Sequence, residues 1–359
     1  MTHLIESIQP FIDRREIPGA VVFVANREAV LAIEAAGWAD LEARTPMLPG
    51  TSFWVASQTK PITAVAVMML VEEGRLTLDD AVEKHLPAFA GLKYVAKKSE
   101  EEVVLRKPSR PVTVRDLITH QSGMPFCTAV EAPTLDRLPL ATSTLSYAST
   151  PLEFDPGTDL MYSNAGFNTA GRLIEVLSGQ SYESFLDERL FKPLGMCDTT
   201  FWPDENQTRH LASAYKVDAD ENRLRKVEID QLQYPLKDRV HRHPMPAGGL
   251  ISTAHDLAIF YRMMLNDGTL DGRVYLKAES VQEMTRCHVR AENGRTQGLG
   301  FEADDNGFYH GGAFGSHTTA DRRTGLITGW LVQMDGTLGQ SASACPAFRE
   351  AAGAAFAQR

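Results

Sequence analysis

The chain has 359 residues, and its 43% hydrophobic and 23% charged content indicates a globular protein with a sizeable core rather than a disordered or fibrous chain. Its formal net charge of −10 argues against binding to nucleic acid or to an anionic membrane, because both attract clustered lysine and arginine. We therefore expect a small-molecule substrate of neutral or locally compensated charge, and no nucleic-acid partner.

The N-terminal stretch, residues 1–10, carries Glu6 among apolar residues and lacks a basic start, a long apolar run and a small-residue cleavage site. This pattern predicts neither a secretory signal nor insertion into a membrane. The expected location is the cytoplasm.

The first third of the chain predicts a helix, two strands and a second helix. Residues 3–15 are amphipathic, and Gly19–Ala25 and residues 29–36 are apolar runs joined by a polar turn, which is typical of a strand pair. Residues 62–71 are apolar on nearly every side and stop before Gly74, which predicts a buried helix with a glycine cap.

The middle of the chain is predicted to be mostly helical and the end returns to strand pattern. The mixed charges of residues 92–111 indicate a solvated excursion. Helices are predicted over residues 114–120, 165–178, 181–190, 254–266 and 346–356, and strands over 308–311, 316–320 and 326–334.

Strands at both ends with helices between them predict an α/β (α+β) fold, in which an antiparallel sheet built from N- and C-terminal strands is flanked by helices. The expected division is a discontinuous sheet domain of residues 1–75 and 290–359, with a mostly helical region of residues 76–289 inserted into it. A substrate cleft is expected where the two meet.

A candidate nucleophile stands at the start of the buried helix. Ser57 and Lys60 are three residues apart, a spacing that places both on one helix face, and Pro61 favours a helix beginning close to Ser57. Serine needs a neighbouring base or cation to become nucleophilic, and the lysine can supply it. Taken alone the pair is a weak signal, since such a spacing also arises by chance.

A second motif, Tyr162-Ser163-Asn164, precedes the helix predicted over residues 165–178. A phenol is a poor base unless a cation stabilises the phenolate, and Lys60 is a candidate for that cation. The competing interpretation is a helix N-cap at Ser163 or Asn164 beside a packing tyrosine.

A third motif, His310-Gly311-Gly312-Ala313, follows a predicted strand. Two glycines allow a backbone to approach a ligand closely, and the N–H near Ala313 can join that of Ser57 as an oxyanion hole. A simple bulge or turn is the alternative interpretation.

In their order and separation the three motifs resemble the active-site set of serine β-lactamases and penicillin-binding proteins, namely Ser-x-x-Lys, Tyr-x-Asn and Lys-Thr-Gly. Residues 113–124, 191–199 and 247–257 also resemble segments of that family. The leading tyrosine of the second motif points to the class C branch, which includes esterases of the family VIII type.

The resemblance implies a role for each motif residue. Ser57 would be the nucleophile, Lys60 and Tyr162 the coupled base and proton shuttle, and Asn164 a partner for substrate and Lys60. His310 departs from the family, because lysine usually stands there, and a mostly neutral histidine is expected to bind substrate carboxylates less well.

The leading hypothesis is therefore a serine hydrolase that acts through an acyl-enzyme on small esters. A β-lactamase or a peptidase or amidase for D-amino-acid-like substrates is the first alternative, and a non-catalytic binding protein on the same fold is the second. No cofactor is expected, and no metal, since His241 and His243 lack a third ligand at useful spacing.

Overall fold

A computed structural model describes residues 4–356 of the chain. Its largest sheet has seven strands, every neighbouring pair of which is antiparallel. The order across this sheet is Glu302–Ala303, Gly307–Gly311, His317–Asp321, Ile327–Leu331, Gly19–Ala25, Val30–Asp40 and Thr45–Pro46. Strands from both ends of the chain thus share one sheet, and the predicted α/β fold with an antiparallel sheet is confirmed.

The central strand of this sheet, Gly19–Ala25, is buried along its whole length. Val22 and Val24 pack with the helices Leu4–Asp13 and Ala344–Phe356 on one face, while the alternate side chains, such as Phe23, join the main core on the other. A strand covered on both faces needs an unbroken apolar run, and burial of each large side chain contributes about 1.5–3 kcal/mol. The apolar sequence of this strand is explained by its two buried faces.

The helix Thr59–Glu72, called the central helix below, lies inside the main core with its first twelve residues buried. It ends before Gly74, whose φ of +69° is the left-handed conformation that closes a helix. Pro61 lies in the first turn, where no backbone donor is needed. The predicted buried helix and its cap are confirmed.

The other α-helices that the structure describes are Val82–His85, Val114–Ile118, Leu140–Ala148, Asn164–Ser178, Tyr182–Leu186, Lys192–Leu194, Glu205–Arg209, Ala254–Leu265 and Ala278–Thr285. Smaller sheets pair Ser52–Trp54 with Ile251–Thr253, Tyr94–Lys98 with Val103–Arg106, Ala214–Asp218 with Arg223–Val227 and Met334–Asp335, Thr269–Leu270 with Arg273–Val274, and Val289–Arg290 with Thr296–Gln297.

Several predicted elements differ from the structure in detail. The mostly exposed excursion of residues 92–111 contains the hairpin Tyr94–Lys98 and Val103–Arg106, because mixed charges also suit the solvent face of two paired strands. The long strand predicted over 326–334 is interrupted, and Met334–Asp335 pairs in a different sheet. Residue 3, the predicted start of the first helix, lies outside the described residues.

A single hydrophobic cluster extends from the sheet into the predicted helical region, since Phe23, Leu70, Phe167 and Phe185 all belong to it. The two-domain division therefore stays a prediction. Among residues 4–356 the structure contains no helix both long and apolar enough to cross a bilayer.

Candidate active site

Ser57 lies at the start of the central helix, just after the short strand Ser52–Trp54. A single 3-10 turn, Ala56–Gln58, joins the two, and Ala56 has a φ of 48°. A non-glycine residue in the left-handed region is disfavoured and persists where surrounding structure imposes it, as at functional sites. The turn places the serine at the positive end of the central helix.

Lys60 is completely buried beneath Ser57, one turn further along the chain. Its Nζ lies 3.2 Å from Ser57 Oγ, 2.8 Å from Asn164 Oδ1 and 2.6 Å from the carbonyl oxygen of Ala247. The predicted convergence of the first two motifs is therefore present in the structure.

The charge of Lys60 is set by its surroundings. Burial lowers the pKa of Lys60 well below its ordinary value, and the positive charge of Arg295 lowers it further. A neutral amine has two N–H groups and one lone pair. The two N–H groups donate to Asn164 Oδ1 and to the Ala247 carbonyl, because these oxygens can only accept. The lone pair then faces the Ser57 hydroxyl. The arrangement suits a base that removes the proton of Ser57.

Tyr162 lies over the same lysine. Lys60 Nζ is 4.5 Å from the centre of the Tyr162 ring, and the ring of His120 stacks on it at 4.4 Å. Burial raises the pKa of Tyr162 to about 12, against the lowering effect of its hydrogen bond with Ser57. The phenol is thus protonated at neutral pH. Burial therefore disfavours a phenolate at Tyr162, and the coupled role of Lys60 and Tyr162 stays a prediction.

The entry to the helix Asn164–Ser178 fixes the second motif. Ser163 Oγ accepts from the N–H of Gly166 at 2.9 Å, which is a helix N-cap, and its own N–H donates to His120 Nδ1 at 3.0 Å. The N-cap interpretation is confirmed for Ser163, and the cap lies between Tyr162 and Asn164. The roles of Tyr162 and Asn164 in a site stay predictions.

The third motif ends the strand Gly307–Gly311 beside Ser57. A Cβ atom on Gly312 would meet the carbonyl oxygen of Val55 at 2.3 Å, whereas one on Gly311 would meet nothing closer than 3.4 Å. Glycine is therefore required at position 312 by the chain segment that precedes Ser57. Phe314, directly after Ala313, has a φ of 62°, so strained residues adjoin both candidate oxyanion donors.

His310 is buried at the end of the same strand, and its Nδ1 donates to the carbonyl oxygen of Gly311 at 2.6 Å. Burial, reinforced by Lys60, lowers the pKa of His310 to about 3. His310 is consequently neutral across the physiological range and offers no positive charge to a substrate carboxylate.

The motifs enclose a cavity of about 360 Å³. Its lining comprises Ser57, Tyr162, Glu302, His310, Gly311, Gly312, Ala313, Gly315, Ser316 and His317. A cavity of about 450 Å³ lies elsewhere, beside Arg242, so volume alone does not select the site. The chemistry of the lining does, because it contains the candidate nucleophile and both candidate oxyanion donors.

Two charged residues at the site carry no signal in the motifs. Arg295 lies on the hairpin of Val289–Arg290 and Thr296–Gln297, with its guanidinium carbon 5.0 Å from the centre of the Tyr162 ring. Glu302 lines the cavity, and its carboxylate is 3.7 Å from Arg295 Nε. Arg295 lies in the loop of its hairpin and Glu302 on the edge strand of the main sheet, and their approach to the site depends on tertiary structure, so no local motif singles them out.

Comparison with known proteins agrees with this geometry. The sequence model of the family described as Beta-lactamase matches residues 4–351. Protein Rv1367c of Mycobacterium tuberculosis is 32% identical over 305 residues, covering 82% of this chain and 74% of that protein. The solved structure of EstCE1, a hydrolase with promiscuous acyltransferase activity, aligns with a TM-score of 0.81 and 22% identity, covering 98% of this chain and 97% of EstCE1. Unliganded simvastatin synthase LovD from Aspergillus terreus aligns with a TM-score of 0.80 and 21% identity, covering 99% of this chain and 98% of LovD.

At these identities the two structures establish the fold, while the family match extends over nearly the whole chain. The resemblance to serine β-lactamases and penicillin-binding proteins is confirmed. The individual roles of the eight predicted site residues stay predictions, although the structure gathers Ser57, Lys60, Tyr162 and Asn164 around one another and places the segment from His310 to Ala313 beside them. This chain belongs to the beta-lactamase family.

Proposed function

We propose that this protein is a serine hydrolase that acts on small esters through an acyl-enzyme on Ser57. The observation that carries the proposal is the 3.2 Å contact between Lys60 Nζ and Ser57 Oγ, in a place where burial favours the neutral amine. A deprotonated amine within hydrogen-bond reach of a hydroxyl is the pairing that activates a serine.

Acylation begins when the Ser57 proton moves to Lys60 Nζ and Ser57 Oγ bonds to the carbonyl carbon of the ester. The carbonyl oxygen becomes an oxyanion, which the N–H groups of Ser57 and Ala313 stabilise. The C–O bond to the alcohol then breaks, and the departing oxygen takes a proton. Tyr162, protonated and hydrogen-bonded to Ser57, passes that proton from Lys60 to the leaving oxygen.

Deacylation repeats the same steps with water. Tyr162 and Lys60 accept a proton from the water as its oxygen attacks the acyl carbon, and the proton returns to Ser57 Oγ when the carboxylic acid leaves. By microscopic reversibility the groups that protonate the alcohol also deprotonate the water. An alcohol that replaces water at this step would yield acyl transfer instead of hydrolysis.

Neutral substrates fit the cavity best. His310 is neutral, and the one carboxylate in the lining, that of Glu302, repels an anion. A small neutral ester leaves no charge unpaired in such a site, whereas a free carboxylate on the substrate would have to be desolvated beside another carboxylate.

Arg295 favours the second candidate, a β-lactamase or peptidase. Its guanidinium is a permanent cation beside Tyr162, and such a group can hold the carboxylate of a β-lactam or of a peptide terminus. Glu302, 3.7 Å away, partly neutralises it. Ester hydrolysis needs no such cation and is therefore placed first.

The nucleophile is tested by exposing the protein to a fluorophosphonate and mapping the modified peptide by mass spectrometry. One adduct on Ser57 is expected, absent from Ser57→Ala and retained in Ser149→Ala, whose serine is exposed and does not line the cavity. An unlabelled Ser57 in the folded protein contradicts the hydrolase proposal and leaves the non-catalytic binding protein as the better description.

The substrate class is tested by comparing kcat/KM for p-nitrophenyl acetate with that for a chromogenic cephalosporin. We expect the ester to be preferred by at least about tenfold, because the cephalosporin carries a carboxylate. A preference for the cephalosporin would reverse the order of the two candidates.

A further inference from the structure

A chain of buried polar side chains leads away from Lys60. The Ala247 carbonyl that accepts from Lys60 belongs to a residue whose N–H donates to Asn168 Oδ1 at 3.1 Å. Asn168 Nδ2 donates to Tyr147 Oη at 3.0 Å, and Tyr147 donates to Glu131 Oε1 at 2.6 Å. Asparagine and glutamate side chains are seldom buried. Asn168, Tyr147 and Glu131 are nevertheless all at most 2% exposed.

Every hydrogen bond in this series from Ala247 to Glu131 donates in the same direction, towards Glu131. Glu131 is the terminal acceptor, and its other oxygen accepts from the N–H and hydroxyl of Thr128 at 2.7 and 3.2 Å. Since the Tyr147 hydroxyl donates its one hydrogen to Glu131, it can only accept a hydrogen bond from Asn168. The amide of Asn168 is thereby held with its NH₂ towards Tyr147 and its oxygen towards the N–H of Ala247.

Flipping that amide would bring an NH₂ group against the Ala247 N–H, two donors without an acceptor, which is costly in a buried place. The Asn168 orientation thus fixes the plane of the peptide that contains the Ala247 N–H, and so helps to aim the neighbouring carbonyl at Lys60 Nζ. This segment is also held from the other side, where Thr63 Oγ1 donates to the carbonyl of Pro246 at 2.7 Å.

We propose that Glu131, Tyr147 and Asn168 are positioning residues for the reaction of Ser57, and that they act through the Ala247 backbone on the orientation of Lys60. The inference rests on the proposed function, because it needs Lys60 to act as the base. None of the three touches the cavity that holds Ser57, so their effect on the reaction is indirect.

The Ala247 carbonyl also affects the proton affinity of Lys60. A carbonyl oxygen stabilises an ammonium more than an amine, so loss of its alignment lowers the pKa of Lys60. The other titratable or charged groups that face this lysine are Tyr162, His120, His310 and Arg295, and the proposed substitutions leave them in place.

The test measures kcat and KM for p-nitrophenyl acetate from pH 5 to 9 in the full chain, for Asn168→Leu and Tyr147→Phe. Asn168→Leu keeps the side-chain shape and removes both hydrogen bonds, and we expect about a tenfold loss in kcat with little change in KM, since small misplacements of a base are costly. Tyr147→Phe, which removes one oxygen atom, should lose about threefold. In both variants the acid limb of kcat/KM should move to lower pH.

The matched control is Tyr215→Phe. Tyr215 is equally buried, its hydroxyl accepts from the N–H of Leu41 at 2.8 Å, and it does not line the cavity that holds Ser57. A purely structural loss should lower the thermal stability of all three variants without moving the pH profile, so the shifted acid limb separates the two explanations.

The outcomes distinguish this inference from the proposed function. Fluorophosphonate labelling of wild-type Ser57, together with a wild-type rate and pH profile in the folded Tyr147→Phe and Asn168→Leu variants, overturns the inference alone. If Asn168→Leu does not fold, Tyr147→Phe decides. An unlabelled wild-type Ser57 overturns the hydrolase and the positioning role together.

Discussion

The guanidinium of Arg295 lies over the ring of Tyr162, with its carbon 5.0 Å from the ring centre. An arginine in this position favours the electron-rich face of the phenol and adds a permanent positive charge beside Lys60. The charge disfavours protonation of the Lys60 amine. Arg295 therefore acts first on the pKa of Lys60, and not on the substrate.

Replacement of Arg295 by glutamine is expected to raise the pKa of Lys60. Arg295 contributes to the lowering of that pKa, and removal of a like charge favours the ammonium. The acid limb of kcat/KM for a neutral ester should therefore move to higher pH, with little change above it. The measurement is a rate profile from pH 5 to 9 with p-nitrophenyl acetate.

Arg323→Gln serves as the control for this prediction, because Arg323 is highly exposed on a turn of the main sheet and its substitution removes the same formal charge. An identical shift in both variants would mean that overall charge, and not the position of Arg295, sets the profile.

The parts of the site that the sequence could predict are those encoded locally. Ser57, in the turn that opens the central helix, and Lys60, in the first turn of that helix, are three residues apart, and their 3.2 Å contact follows from this helical spacing. Gly74 closes the same helix for an equally local reason. The approach of Tyr162 and His310 is not local, and it could be predicted only through the resemblance of the motif order to a known family.

Other features depend on burial and on contacts between distant segments, which no short pattern encodes. The strand Ser52–Trp54 has three residues, too few to show an alternation, yet its pairing with Ile251–Thr253 brings Ala247 to Lys60. The protonated state of Tyr162 likewise follows from burial. This protonation state cannot be predicted from the sequence, because a sequence does not show how much water reaches a side chain.

The catalytic set is expected to act as one unit. Ser57→Ala, Lys60→Met and Tyr162→Phe should each lower kcat by at least about a hundredfold, and the double variants should lose little more than the single ones, because the residues share one proton path. Steady-state kinetics with p-nitrophenyl acetate check this, with the exposed Lys84→Met as control. A Lys60→Met enzyme of near wild-type rate, or strictly multiplicative losses, would contradict the shared path.

His310 is expected to make the protein less stable in mild acid. Its folded pKa is about 3, whereas an unfolded histidine titrates near 6.5, so between these pH values the unfolded state binds the extra proton. Stability is complete above about pH 6.5 and falls as the pH drops, by about 2 kcal/mol at pH 5.

The measurement is urea unfolding of wild type and His310→Gln at pH 7.5 and pH 5. The difference in free energy of unfolding between wild type and His310→Gln should be smaller by about 2 kcal/mol at pH 5 than at pH 7.5, because glutamine has no proton to gain. Taking the difference removes the contributions of other titrating groups, such as His317, whose pKa burial lowers to about 4. A pH-independent difference would mean that His310 titrates alike in both states.

The two neighbouring glycines offer a matched pair of substitutions. Gly312→Ala places a Cβ 2.3 Å from the carbonyl oxygen of Val55, so the segment before Ser57 must move, at a cost of about 1–3 kcal/mol. A Cβ in Gly311→Ala meets the ring of His317 at 3.4 Å and the carbonyl oxygen of Ser316 at 3.6 Å, which are ordinary contacts. We expect a lower Tm by several degrees and at least about a tenfold loss in kcat/KM for the first variant, and a Tm within about two degrees of wild type for the second.

Thermal unfolding and kinetics with p-nitrophenyl acetate check the pair together. Because Val55 precedes Ala56, whose φ is 48°, a shift there also changes the turn that presents Ser57, so stability and rate should fall in the same variant. Equal Tm values for the two variants would show that the chain at Gly312 relaxes without moving Val55. A stable Gly312→Ala enzyme that is still slow would instead locate the loss in the N–H of Ala313, the donor next to the added methyl group.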